Sequence, residues 1–343
     1  MSIGGAWGIR SKKHWRKKMA SQKQNPLRKI GEQIQSIMPT QTLNPQKSLE
    51  GAKVVESFES IPEVYQEFFQ PHLARGETLP YTVLTPTYEI SGDTVTGKLV
   101  CVIDHTLYVL ERNENGLSKV CYPIDEINTV EVIHRPADLH VKVNGFTNLG
   151  QPATSVFGCS KSTDYIFAPL FQRIRLRIDS LNERAPSRHM ERLDRWSDLK
   201  TGVLDMARHC LMAGETVIES ILQPEIHPNI FSPDRVFRGA KCATHICILT
   251  DKELVLIRED LPLGKKDTCN SVCNFIPLNK VNSLSVNREN EKFLVVSIRT
   301  TNGDVFESLF DVSLENDVNQ FLARTREFIP KERSYRRDQG TSA

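Results

Sequence analysis

Pro123-Ile124-Asp125-Glu126-Ile127-Asn128-Thr129-Val130-Glu131-Val132 returns later in the chain as Pro277-Leu278-Asn279-Lys280-Val281-Asn282-Ser283-Leu284-Ser285-Val286, with the proline, the asparagine and every apolar position kept. Two more blocks recur in the same order. Ile103-Asp104-His105-Thr106-Leu107-Tyr108-Val109-Leu110 is matched by Thr250-Asp251-Lys252-Glu253-Leu254-Val255-Leu256-Ile257. Upstream, Gly76-Glu77-Thr78 followed by Pro86 is matched at an offset of 138 by Gly214-Glu215-Thr216 followed by Pro224. Self-similarity of this kind outranks local propensity as a guide to architecture, because each repeat must be one folding unit. The chain is therefore read as a duplicated domain.

Outward from these blocks, each copy parses into the same elements. A short helix, about 62–74 in the first copy and 199–212 in the second, ends before Gly76 or Gly214, a residue type that accepts the left-handed conformation closing a helix. Seven alternating, β-like segments follow in each copy. In the first they lie near 80–90, 97–103, 106–112, 118–123, 127–134, 139–146 and 152–159, and in the second near 216–224, 240–249, 252–259, 271–276, 281–287, 292–301 and 304–310. Turn chemistry separates them, with Asn302-Gly303 marking a tight hairpin. The period then changes to that of a helix. Ser313 is the expected N-cap, and Val318, Phe321, Leu322, Thr325, Phe328 and Ile329 share one helical face. The first copy offers Ile166, Leu170, Phe171, Ile174, Ile178 and Leu181, with regular helix expected from Pro169 onward.

Seven short antiparallel strands and one amphipathic helix describe a small, partly open barrel whose helix plugs an end. The order of elements resembles the bacterial pleckstrin-homology-like (PH-like) or GRAM-like domains. The residues that carry the likeness are the Gly-Glu-Thr segment after a short helix, the Leu-Thr-Asp-Lys-Glu-Leu-type hairpin and the Pro-Leu-x-x-Val strand. The expected fold is mainly β (α+β): two tandem PH-like seven-stranded partly open barrels, each with a C-terminal capping helix and a short N-terminal helix. The expected organisation is a basic tail over 1–55, a first PH-like domain over 60–182, a charged linker over 183–198, a second PH-like domain over 199–330 and a C-terminal tail over 331–343. The resemblance implies a fold and leaves the ligand open, since similar domains bind lipid headgroups, peptides or other protein modules.

Composition narrows the class. No stretch reaches the 18 or so apolar residues that a membrane helix needs, and residues 20–39 are too polar for a secretory signal. Eight cysteines, several inside apolar β-like runs, read as reduced thiols acting as small hydrophobes, so a cytoplasmic location is expected. Residues 1–50 carry ten Lys and Arg against two acids, a balance of +8, while the remainder carries 34 against 40, a balance of −6. A body of that charge does not suit nucleic acid, which leaves the tail as the only segment for such a contact. Trp7, Arg10, Lys12, Lys13, Trp15, Arg16, Lys17 and Lys18 combine cations with interfacial tryptophans, a pattern that suits an anionic membrane surface or another polyanion.

Candidate chemistry is sparse. Gly92 to Lys98 approximates a phosphate-binding loop, but Leu99 stands where Ser or Thr is required and a strand follows where a helix is needed. Cys242, His245, Cys247, Cys269 and Cys273 invite a zinc reading; yet Cys242 and Cys247 lie an odd number apart on an expected strand, so opposite faces are expected and no metal site is assigned. No catalytic motif is present. Arg235, Arg238 and Lys241, beside His227 in an insertion that only the second copy has, form the expected ligand site, because PH-like domains hold phosphorylated headgroups with cations from this first loop.

The expected function is a non-enzymatic tandem PH-like binding or adaptor protein with an unidentified protein partner, no cofactor, and a peripheral membrane contact. The alternatives are a lipid-headgroup receptor using the second domain's first loop and the basic tail, or an enzyme whose site lies between the barrels and uses His227 and His245.

Overall fold

A computed structural model describes residues 51–74, 79–90, 93–114, 116–176, 191–196, 202–212, 215–226, 242–260 and 270–330. The fold is mainly β. Among the described residues, all but Ile90 and Asp93 belong to one compact unit, so both sequence repeats fall in the same body apart from those two residues.

The first repeat runs β1 (Lys53–Val55), α1 (Glu63–Ala74), β2 (Thr82–Leu84), β3 (Tyr88–Ile90), β4 (Asp93–Val95), β5 (Lys98–Ile103), β6 (Thr106–Asn113), β7 (Gly116–Pro123), β8 (Ile127–His134), β9 (Asp138–Phe146) and β10 (Pro152–Ser160). A 3-10 turn, Lys161–Phe167, then leads into α2 (Ala168–Leu176). The second repeat comprises α3 (Glu191–Asp194), α4 (Gly202–Cys210), β11 (Val217–Gln223), β12 (His245–Thr250), β13 (Glu253–Asp260), β14 (Asn270–Pro277), β15 (Val281–Arg288), β16 (Phe293–Thr300), β17 (Val305–Asp311) and α5 (Glu315–Phe328).

Three sheets carry the architecture. β1-β2-β5-β6-β7 form the first and β15-β16-β17 the third. Between them lies a seven-stranded sheet of order β10-β9-β8-β14-β13-β12-β11, which takes three strands from the first repeat and four from the second. The joint is the antiparallel pair β8·β14, in register from His134 opposite Ser271 to Val130 opposite Phe275. The β3·β4 pair makes a small two-stranded sheet, and among the described residues no sheet closes on itself.

Strand alternation places the cores. On β12, Ile246 and Ile248 face one way and Cys247 and Leu249 the other; on β13, Val255 and Ile257 oppose Leu254 and Leu256. The first of these faces joins Val100, Val102, Val109, Val132, Val141, Phe157, Leu170, Val203 and Leu204 in a core built from both repeats. The second face packs on β15-β16-β17 and on α5, whose Val318, Phe321, Leu322 and Thr325 are buried at helical spacing. A third, smaller core lies between α1 and the outer face of β5, through Tyr65, Phe69, Leu99 and Cys101.

The expected elements of the second repeat match these bounds closely, and Gly303, at φ 95°, makes the tight hairpin that Asn302-Gly303 announced. Four readings change. The segment expected over 80–90 is two strands, because Pro86 has no N–H for the ladder; Thr85, just before it, is the last residue hydrogen-bonded to Lys98, at 2.8 Å. Lys53–Val55, assigned to the tail, is strand β1 paired with Thr82–Leu84. β12 begins at His245 rather than near 240, Cys242 making only an isolated bridge to Ile226. The last helix is led in by Asp311, whose carboxylate accepts from Ser313 N at 2.9 Å in a 3-10 turn, so Ser313 is not its N-cap. Gly76 and Gly214 lie outside the described residues.

The β5–β6 turn is made by two non-glycine residues in left-handed conformation, Asp104 (φ 47°) and His105 (φ 58°). That is the handedness a two-residue hairpin needs.

Candidate functional site

A pocket of about 250 Å³ opens on the first repeat, lined by Thr94, Val95, Thr96, Lys98, Val109, Glu111, Ser118, Val120, Thr154, Ser155 and Val156. β5 and β6 pair Lys98 directly opposite Glu111, which places two opposite charges on adjacent strands at its wall. Lys98 Nζ lies 3.2 Å from Glu111 Oε2 and 3.3 Å from Thr96 O, while the Thr96 hydroxyl donates to the same carboxylate. The lysine side chain is 10% exposed, so its charge is spent on the carboxylate rather than offered to solvent. Val109 and Val120 contribute apolar lining, and Ser155 is already engaged by the Tyr122 hydroxyl at 2.9 Å. The wall presents hydroxyl groups around a neutralised ion pair, a setting for a small uncharged hydrogen-bonding group.

The second concentration of polar chemistry is buried where the repeats meet. Arg175, on α2 of the first repeat, donates from Nε to Glu253 Oε1 at 2.8 Å, from Nη1 to Cys210 O at 2.8 Å and from Nη2 to Glu215 Oε2 at 3.4 Å; a further contact joins Nη2 to Glu253. Its guanidinium lies 3.8 Å from the Phe275 ring centroid. Three acceptors and one aromatic face, all from the second repeat, thus hold one cation of the first. Burial pushes the Glu215 carboxyl up to about 8, against the opposing pull of Arg175. At the other end of the joint, Lys280 Nζ lies 3.3 Å from Glu126 and the Thr301 hydroxyl 3.3 Å from Asn128 Oδ1. A carboxylate deprived of a buried cation is strongly destabilising, and these groups therefore fix the mutual orientation of the repeats.

The residues nominated from the sequence are distributed differently. His227, Arg235, Arg238 and Lys241 lie outside the described residues, as do Trp7, Arg10, Lys12, Lys13, Trp15, Arg16, Lys17 and Lys18, and Cys269. His245, proposed for an inter-domain site, is buried on β12 with its ring 4.9 Å from Phe310 of β17, in the second repeat's own core. Burial lowers it to about 4, and its Nδ1 lies 3.0 Å from Ala243 O.

The thiols correct one step of the sequence reading. Cys242 Sγ meets Leu309 O at 3.4 Å and Cys247 Sγ meets Ser308 Oγ at 3.9 Å, so both face β17 rather than opposite ways. Alternation fails because Cys242 precedes the strand. Cys273 faces the other core, beside Cys210. Sequence reasoning missed Arg175, Glu215 and Glu253 altogether; the available signal was a cation at the end of the apolar face of α2 and an acid inside each of two repeated blocks.

No family model matches the chain, and no curated protein matches it.

Proposed function

We propose that this chain is a non-enzymatic tandem PH-like adaptor whose first repeat binds a protein segment at the Lys98–Glu111 pocket. In each repeat, with strands β1, β3 and β4 set aside, four strands are followed by three more and then a helix: β2, β5, β6, β7, then β8, β9, β10 and α2; and β11 to β14, then β15 to β17 and α5. This order supports the PH-like reading. The observation that carries the functional reading is the Lys98–Glu111 pairing at 3.2 Å. A headgroup phosphate would have to displace Glu111 or accept its repulsion, whereas a peptide amide or hydroxyl can meet Thr94, Ser118 and Thr154 without disturbing it. The fused sheet holds the two repeats as one rigid platform, which suits an adaptor that presents a partner in a fixed direction.

Affinity purification of the intact protein from its host, compared with Thr154→Trp, which fills the pocket from an exposed wall position, tests the reading. The expected result is a direct partner lost in the variant while the fold is kept. Saturable binding to vesicles containing a phosphoinositide, abolished by Lys98→Gln, would overturn it in favour of a headgroup receptor. Vesicle binding that survives Lys98→Gln and disappears on Arg235→Glu with Arg238→Glu would assign that role to the second repeat instead.

A further inference from the structure

We propose that His134, Cys210 and Cys273 form a binding site for a thiophilic metal ion, zinc in the first instance, that staples the two repeats together. Their ligand atoms all lie within 4.8 Å of one another, and the two sulfurs are 3.4 Å apart. Three points so spaced can share a centre about 2.6 Å from each, close to zinc–sulfur and zinc–nitrogen bond lengths of about 2.3 and 2.0–2.1 Å. Small adjustments of three side chains therefore suffice. Among the described residues this is the one group of His, Cys, Asp and Glu close enough to hold an ion.

The ligands come from three elements. His134 ends β8, Cys210 ends α4, and Cys273 sits within β14, two residues from the Ser271 that pairs with His134. An ion there would tie the first repeat to a helix and a strand of the second at the joint itself.

Electrostatics permits it. Zinc with two thiolates and a neutral imidazole carries no net charge, so nothing uncompensated is buried. The neighbouring cations are already matched, Arg175 by Glu253, and Lys161, whose Nζ lies 3.3 Å from His134 Nδ1, by Asp164. The Cys210 thiol already donates to Cys273 Sγ, so the two sulfurs face each other before any ion binds. The histidine separates this arrangement from a simple dithiol, since a disulfide would have no use for it.

The test uses the full chain, purified without chelating resin or chelator. Mass spectrometric metal analysis is expected to find one zinc per chain. After removal of zinc, Co²⁺ alone should produce a sulfur-to-cobalt charge-transfer band and the visible bands of a tetrahedral ion. Cys210→Ser and Cys273→Ser should each lose the metal, His134→Gln should weaken its retention at least tenfold, and Cys247→Ser should keep it all. Chelation should lower the unfolding temperature of the wild type and leave that of Cys210→Ser unchanged. A metal-free protein that gives no cobalt–sulfur band overturns the proposal without reliance on any variant, as does a Cys210–Cys273 disulfide found in protein purified with thiols present, or zinc retained at full stoichiometry by both serine variants.

Discussion

β8 and β15 are the same strand of the repeat, yet one is interior and the other an edge. Over Ile127–His134 every residue is buried or half-buried, while Val281–Arg288 is mostly exposed, with Val281 its one buried position. Asn128 is fully buried and Asn282 exposed, although they occupy equivalent sites in the block that revealed the duplication. The cause is β14, which adds its outer edge to β8 and leaves β15 at the edge of its sheet among the described residues. Composition has followed placement. Beyond the apolar positions that both keep, β15 has Ser283 for Thr129, Asn287 for Ile133 and Arg288 for His134, the polar dress that keeps a free edge from recruiting another strand. Duplication supplied two equivalent strands, and packing decided which became a joint.

The sharpest way to break this comparison is one charge at matched positions. Val132→Asp places a carboxylate in the shared core opposite Cys273 and is expected to cost about 4 kcal/mol or more, whereas Val286→Asp, half-buried at the equivalent edge site, should cost about 1–2 kcal/mol. Urea unfolding monitored by circular dichroism measures both, and equal costs would mean that β8·β14 is not the joint. Next in size is Arg175→Met, which leaves Glu253 without its buried cation and should destabilise by about 3 kcal/mol, read in the same unfolding experiment.

The joint also has a pH signature that the edge lacks. Glu215 is raised from 4.5 to about 8 in the folded chain, so the native state holds its proton more tightly than the unfolded one. Its contribution is complete below about pH 4.5 and disappears as pH rises toward 8. Stability should fall across that window, and Glu215→Gln should flatten the fall; an unchanged slope would place the proton elsewhere. The smallest effect belongs to the edge: Asn287→Lys, on exposed β15, should change stability by no more than about 0.5 kcal/mol.

What the sequence made legible follows from range. Strands β13 to β17 could be placed to within a residue because Asn302-Gly303, Pro277 and the alternation around Leu254 and Val255 are local signals. Lys53–Val55 escaped because three residues cannot show a period and their partner, Thr82–Leu84, lies across a helix. The β8·β14 joint escaped for a different reason: alternation says which face of a strand is apolar and nothing about which strand lies beside it. The buried polar groups share that limit. Arg175 meets an acid 78 positions away, and His134, Cys210 and Cys273 meet only because the joint brings three separate elements to one place. The cations chosen for their spacing, Arg235, Arg238 and Lys241, lie outside the described residues, so the site most readable as a motif and the sites most visible as geometry do not coincide.

The shared sheet has a consequence for a broken chain. Backbone cleavage between Leu176 and Glu191 would sever every covalent link between the repeats and none of the β8·β14 ladder, the Arg175 cluster or the common core. The two pieces should therefore co-elute as one particle under native conditions and separate only in denaturant, and two separately expressed halves should find each other in solution. Either half alone would display an unpaired strand and half of a hydrophobic core, so the repeats, though duplicated in sequence, are not interchangeable parts that function can shed one at a time.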